Sequence, residues 1–348
     1  MYYIGKREYI GQNLNEKWLD MIKNEDFVQV VNDIAGGAAL ESNFYVFVQA
    51  SGTPQENAVE LQEAYDLAKS RVATYGDQAV LVAPGDFDFA SDFLADADQV
   101  SIACLLDTLP GISFTGVGNI NVTGQFCGYI GIDTGNKPFI VGDNVGSGFL
   151  NCVGGNGSFG NGVNSVGYFE NCEGGDNSFG ANATASGQYI KCIGEGNCFG
   201  SFGTASGTFT DCVADFNSFG SSGIASGVFE NCNGGFNSFA GNDGEASGTF
   251  INCTGGDVCF GTQQVGTGIA SGTFINCRAG YYGFAGYGTA SGTFINCVSY
   301  GESFGRYGTL TGQLYYCIIR EYETFETVSG AGVTVLCIDG SNQINTQN

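Results

Sequence analysis

Hydrophobic and polar positions recur in fixed columns along most of this chain. The period is mostly twenty residues, marked by Cys127, Cys152, Cys172, Cys192, Cys212, Cys232, Cys253, Cys277, Cys297, Cys317 and Cys337. One unit runs Gly-x-Phe-x-Asn-Cys, then a Gly/Asn-rich link, then Ser-Phe-Gly, then a small-residue stretch closing on Ala-Ser-Gly. A unit this short cannot enclose its own apolar side chains, so the pattern predicts a solenoid in which neighbouring coils bury each other. Three residues before each cysteine stand Phe149, Phe169, Tyr189, Phe209, Phe229, Phe250, Phe274, Phe294 and Leu314, a column predicted to point inward. The flanking columns are mixed, with Leu150, Glu170, Ile190 and Thr210 on one side and Tyr168, Gln188, Thr208 and Val228 on the other. Strand alternation turns these outward.

Immediately before the cysteine comes Asn151, Asn171, Lys191, Asp211, Asn231, Asn252, Asn276 or Asn296. Asparagine tolerates a left-handed backbone, so this column predicts the sharp bend between two strands of a coil. A second aromatic column, Phe159, Phe179, Phe199, Phe219, Phe239, Phe260, Phe284 and Phe304, predicts a stack on another wall of the core. The surplus residues around Gly261 to Gly268 are expected to bulge outward as a loop. With rungs about 4.8 Å apart, the coils would build a rod of roughly 50 to 60 Å.

Residues 1–52 do not repeat and are expected to form an N-terminal attachment segment, with a short strand at Phe44 to Val48. Thr53-Pro54-Gln55-Glu56 carries a capping hydroxyl, proline at the first helical position and Glu three residues after the cap. This predicts a helix over about 54 to 70 within a capping segment at 53–77, its face lined by Ala58, Leu61, Tyr65 and Ala68. Such a helix would cover the open end of the rod, where unpaired strand edges would otherwise meet water. Irregular first coils are expected over 78–146, regular repeats over 147–328 and a C-terminal cap over 329–348. Asn57-Ala58-Val59-Glu60-Leu61-Gln62-Glu63-Ala64 together with Val80-Leu81-Val82-Ala83-Pro84-Gly85-Asp86-Phe87 resembles the opening of pectate-lyase-type right-handed parallel β-helix proteins. The resemblance covers about thirty-five residues. It implies an all-β, single-stranded right-handed β-helix, in a superfamily that holds polysaccharide lyases and hydrolases and many phage tailspikes and tail fibres. It therefore bears on fold more than on activity.

Composition narrows the partners. The formal charge of −24, from eleven Lys plus Arg against thirty-five Asp plus Glu, opposes nucleic acid and anionic membrane surfaces. Six of the bases, Lys6, Arg7, Lys17, Lys23, Lys69 and Arg71, precede residue 75, so the repeat body is more acidic still. Its partners should be neutral, cationic or bridged by metal. The 58 glycines lack a collagen period, and 43% hydrophobic residues argue against disorder. The first twenty residues lack the apolar run and cleavage site of a signal peptide, and no stretch is long enough to insert into a bilayer. Fourteen cysteines without that signal fit folding in a reducing cytoplasm, followed by incorporation into a virus particle.

The chain contains no histidine, which removes Ser-His-Asp and Cys-His mechanisms and a zinc site of the usual kind. The cysteine column reads as buried small thiols. Glu173, Asp176, Glu195 and Asp215 follow their cysteines by one to four residues in three consecutive coils. They are expected to form a solvated acidic turn, with no cofactor or with calcium as the one candidate, in preference to a catalytic carboxylate pair. Lyases of the resembled fold use calcium with a Lys or Arg base, and neither Lys191 nor Arg278 has a matching motif here. Aromatic residues at outward or turn positions carry a second expectation. Phe216, Phe236 and Tyr281 share a column four residues after the cysteine, with Tyr282 and Tyr300 beside it, and Phe202, Tyr287 and Tyr307 share another. Rings along a regular face suit a surface glycan or another protein.

The leading expectation is thus a non-catalytic structural and recognition fibre or spike of a virus particle. It would be anchored to virion or tail proteins through its N-terminal segment and would be a homotrimer. A carboxylate-based glycan depolymerase is the alternative, and a bacterial adhesin the second alternative.

Overall fold

The computed structural model describes residues 44–104, 111–142, 147–261, 268–305, 307–320, 333–338 and 344–347. It is an all-β parallel solenoid of about 11 turns, with coils of about 20 residues. The loop expected at Gly261 to Gly268 lies almost wholly outside the described residues, as does most of the 1–52 segment.

Each regular coil has three walls. The first holds strands such as Tyr168–Glu170, Gln188–Ile190 and Thr208–Thr210, paired in parallel with Phe169, Tyr189 and Phe209 in register. The second holds Glu173–Gly174, Ile193–Gly194 and Val213–Ala214, and the third Thr184–Ala185, Thr204–Ala205 and Ile224–Ala225. The corner between the first two walls is the predicted asparagine bend: φ is 53° at Asn151, 52° at Lys191 and 54° at Asn231. A left-handed residue turns its N–H the other way. Asn171 N–H donates forward to Ile190 O at 3.0 Å, whereas Glu173 N–H donates back to Cys152 O at 2.9 Å. Asparagine adds a side-chain ladder along the corner, Asn252 Nδ2 donating to Asn231 Oδ1 at 3.0 Å and Asn276 Nδ2 to Asn252 Oδ1 at 3.1 Å.

Both aromatic columns are fully enclosed. Phe209 and Phe229 stack with centroids 4.8 Å apart and planes 2° apart, and Phe199 and Phe219 stack at 4.9 Å and 3°. The two stacks meet edge to face, Phe209 and Phe219 lying 5.8 Å apart at 88°, which is the favoured contact of the ring quadrupoles. The second column holds a feature the sequence does not announce: its phenylalanines are themselves left-handed, φ being 54° at Phe179, 52° at Phe199 and 51° at Phe219. That conformation costs roughly 1–2 kcal/mol per residue, and burial of each ring offsets it. Within the mixed columns expected to face outward, Tyr168 departs: it is buried, with its hydroxyl donating to Glu170 Oε2 at 2.7 Å.

All fourteen cysteines are free and buried. From Cys152 to Cys317 each thiol of the column donates to the carbonyl of the aromatic residue one coil back, as Cys172 Sγ does to Phe149 O at 3.3 Å and Cys192 Sγ to Phe169 O at 3.4 Å. The column is a line of satisfied small groups in the core.

At the N-terminal end, β1 (Tyr45–Val48) precedes helix α1 (Pro54–Tyr75), which precedes β2 (Gln78–Val82) and β3 (Gly85–Phe87). The capping box forms as predicted: Glu56 N–H donates to Thr53 Oγ1 at 3.3 Å and Thr53 N–H to Glu56 Oε2 at 2.8 Å. Ala58, Leu61, Tyr65 and Ala68 are buried against the core. The helix is longer than the periodicity predicted, because no breaker occurs until Gly76, whose φ of 77° ends it. Asn57 Nδ2 ties it to Asp86 O at 3.0 Å, and Tyr65 Oη accepts from Ala97 N–H at 2.8 Å. Among the described residues the first rung is β1, paired in register with β2 (Tyr45 with Ala79, Val48 with Val82), so one rung lies inside the segment expected to serve as an attachment. At the other end Ile344–Gln347 runs antiparallel to Val333–Ile338. No helix among the described residues is long and apolar enough to cross a membrane.

Candidate functional site

The outer surface of the second wall and the turn beyond it carry the residues singled out for chemistry. The four carboxylates do not converge. Glu173 stands on the second wall in register with Ile193, Asp176 lies in the following turn, and Glu195 and Asp215 hold a third column. Asp176 Oδ1 accepts the backbone N–H of Gly196 at 2.8 Å, a structural use. Among the described residues no group of three or more His, Cys, Asp or Glu is placed to hold a metal ion. Calcium favours six to eight oxygen ligands, and these four carboxylates stand in three separate columns. The separation has a simple cause. Residues one, three and four positions past the cysteine leave the backbone in different directions, so closeness in sequence does not bring their oxygens together.

The eight aromatic residues are all at least partly exposed, and the coils sort them into separate groups. Phe202 is alone: Ser222 and Asn242 occupy its column on the next two rungs, so it does not join Tyr287 and Tyr307. Phe216 and Phe236 stand on consecutive rungs. Phe216 leans over Gly196, where an added Cβ would meet the ring's Cζ at 2.5 Å, so the missing side chain seats the ring. Asp257 takes the same column on the next rung and accepts Tyr281 N–H at 2.8 Å, separating Tyr281 from the phenylalanine pair.

The second group gathers near the C-terminal end. Tyr287 and Tyr307 stack at 4.6 Å with planes 21° apart, and Tyr282 packs on Tyr287 at 5.3 Å. Tyr307 Oη donates to Glu302 Oε1 at 2.9 Å. A hydrogen bond from Tyr282 to the same carboxylate pushes the Tyr282 phenol up to about 12. Glu302 thus fixes the orientation of two rings, and reasoning from columns missed it because it replaces an asparagine that looks like ordinary turn chemistry. Tyr300 stands apart with the Arg320 guanidinium 5.8 Å above its ring, a cation–π contact that also went unread.

The exposed aliphatic residues Ile193 and Val213 went unread too, because strand alternation marks their column as a tolerant outer one. The visible signal was two β-branched apolar residues on successive rungs, in the column that holds Glu173 and Asn233 elsewhere. No family model matches the chain, and neither a curated protein nor a solved structure matches it.

Proposed function

We propose that the protein is a recognition rod, the fibre or spike of a virus particle, that presents rows of aromatic side chains to a glycan or receptor on a host surface. The single observation that carries this reading is the rung-to-rung placement of exposed rings on a rigid ladder, with Tyr287 stacked on Tyr307 at 4.6 Å and Phe216 and Phe236 on consecutive coils. Stacked walls hold such rings at fixed spacing, which reduces the ordering cost of binding an extended ligand. The N-terminal segment within residues 1–52 would attach the rod to its particle, and three copies would assemble side by side. A monomeric mass in solution scattering argues against the trimer.

The test is binding of the full chain to a panel of bacterial surface polysaccharides, with Tyr307→Ala and Phe216→Ala beside it. Retention of a polysaccharide by the parent chain, weakened about tenfold or more by either change, supports the reading. Retention unaffected by both overturns the assignment of the surface. Reducing ends or unsaturated products released during incubation, and lost in Asp176→Asn or Asp215→Asn, would favour a depolymerase instead.

A further inference from the structure

The surface around Phe216 combines exposed apolar side chains with exposed carboxylates; the proposal made of it rests on the recognition reading above and deepens it. On the second wall of the Cys192, Cys212 and Cys232 rungs and the turn that follows it, four large apolar side chains face outward: Ile193 at 48% exposure, Val213 at 42%, Phe216 at 46% and Phe236 at 49%. Ile193 and Val213 are in register on neighbouring rungs. Between this aliphatic column and the phenylalanine column stand Glu195 and Asp215, both exposed, with Asp215 N–H donating to Glu195 O at 3.4 Å.

Neither carboxylate has an ion pair or side-chain hydrogen bond among the described residues. Like charges one rung apart in a parallel ladder repel each other. The chain supplies almost nothing to neutralise them: residues 139–277 hold eleven Asp or Glu and a single base, Lys191, which stands at the opposite corner of the same wall. Among the described residues no further Asp, Glu, His or Cys joins the two to form a metal-binding group. An organic ammonium fits, because it gains from both carboxylates and from the face of a neighbouring ring.

We propose that the surface formed by Ile193, Val213, Phe216 and Phe236 binds a polysaccharide bearing protonated amino groups, with sugar faces lying on the two rings and ammonium groups beside Glu195 and Asp215. A basic peptide is the less suitable cation. Peptides commonly dock by adding a strand to an exposed sheet edge, and these rungs have none: Val213–Ala214 is paired on both sides, with Ile193–Gly194 and with Asn233–Gly234.

The experiment is calorimetric titration of the full chain, at low and moderate salt, with four oligomers of equal length: glucosamine, N-acetylglucosamine, galacturonate and lysine. Glucosamine oligomer is expected to bind best, about tenfold tighter than its acetylated form, and to weaken as salt rises. The double change Glu195→Gln with Asp215→Asn should remove that preference while leaving the acetylated oligomer unaffected. Phe216→Ala should weaken both sugars. These side chains are exposed, and an unchanged melting curve for each variant confirms folding. Equal binding of the two sugars, with loss in Phe216→Ala, overturns the charge specificity and leaves aromatic recognition standing. Binding of lysine oligomer that depends on the carboxylates and not on Phe216 overturns the sugar assignment. Binding of no sugar overturns this proposal and counts against recognition at this surface.

Discussion

The Tyr189 hydroxyl donates a 2.7 Å hydrogen bond to the carbonyl oxygen of Ser165, one coil back. Tyr189 stands among phenylalanines, with its ring 5.0 Å from Phe169 and 4.8 Å from Phe209, planes 4° apart in both cases. The Ser165 carbonyl also accepts from the N–H groups of Ser186 at 3.0 Å and Gly187 at 3.1 Å.

Tyr189→Phe therefore removes a hydroxyl without orphaning its acceptor, and the ring stack survives. The change should lie within about 1 kcal/mol of the parent. Phe209→Ala, in contrast, opens a hole bordered by Tyr189, Phe229, Phe199 and Phe219. It should cost about 3–5 kcal/mol. Urea unfolding of both variants separates the two contributions, and equal midpoints would mean that the stacked rings are not what holds neighbouring coils together.

The glycine of each Ala-Ser-Gly corner is required by close approach, not by unusual backbone angles. A Cβ on Gly207 would lie 2.2 Å from Gly187 O, and the same distance recurs at Gly227 above Gly207. Gly207→Ala should destabilise by about 1–3 kcal/mol or more through overpacking against rigid backbone. Gly148 supplies the control: it opens a wall strand and nothing lies within 4 Å of its added Cβ. Gly148→Ala should be neutral or gain up to about 1 kcal/mol by reducing unfolded-chain entropy. Thermal melting of the pair tests the argument, which fails if the two shifts match.

These contrasts show what the sequence could carry. Columns were legible wherever a position has one job in every coil: Phe209 inward, Asn231 at the bend, Leu61 and Tyr65 under the cap. Backbone conformation was legible only where the residue type reveals it. Asn231 signalled its left-handed φ of 54°, whereas Phe219 hid a φ of 51° behind a side chain read only as core. The surface was less legible still, because a column states which residues share a height around the coil and not which rungs are consecutive. Phe202 and Tyr287 share a column yet are separated by whole coils, while Tyr282 and Tyr287 belong to different columns and touch at 5.3 Å.

The asparagine ladder gives a prediction that separates conformation from hydrogen bonding. Asn231 Nδ2 donates to Asp211 Oδ1 at 3.0 Å, and its own Oδ1 accepts from Asn252 at 3.0 Å. Asn231→Gly keeps the left-handed bend and loses only these exposed bonds, a cost expected to be about 1 kcal/mol or less. Asn231→Ala loses the bonds and must also hold a Cβ in the left-handed region, adding roughly 1–2 kcal/mol. The order glycine above alanine in melting temperature is the expected result. The reverse order would place the value of this column in the side-chain ladder.

Alkaline pH should destabilise the rod through its buried thiols. Burial pushes Cys127 from an ordinary 9.0 up to about 11 and Cys198 up to about 12. The unfolded chain thus begins to release thiol protons near pH 9, while the folded chain retains them. The folded state binds more protons above that pH, so stability falls as pH rises, by about 1.4 kcal/mol per unit for each such thiol. The window runs from 9 to about 11 for Cys127 and to about 12 for Cys198; below 9 these groups add no pH dependence. Cys198 occupies a column that is serine at Ser178 and Ser218 on the adjacent rungs, so Cys198→Ser should fold and shallow the alkaline slope by one thiol. Urea midpoints between pH 8 and 10.5 measure the slope. A profile as steep in Cys198→Ser as in the parent would show that ionisation of this thiol is not coupled to unfolding, and that the core admits hydroxide or water at this wall.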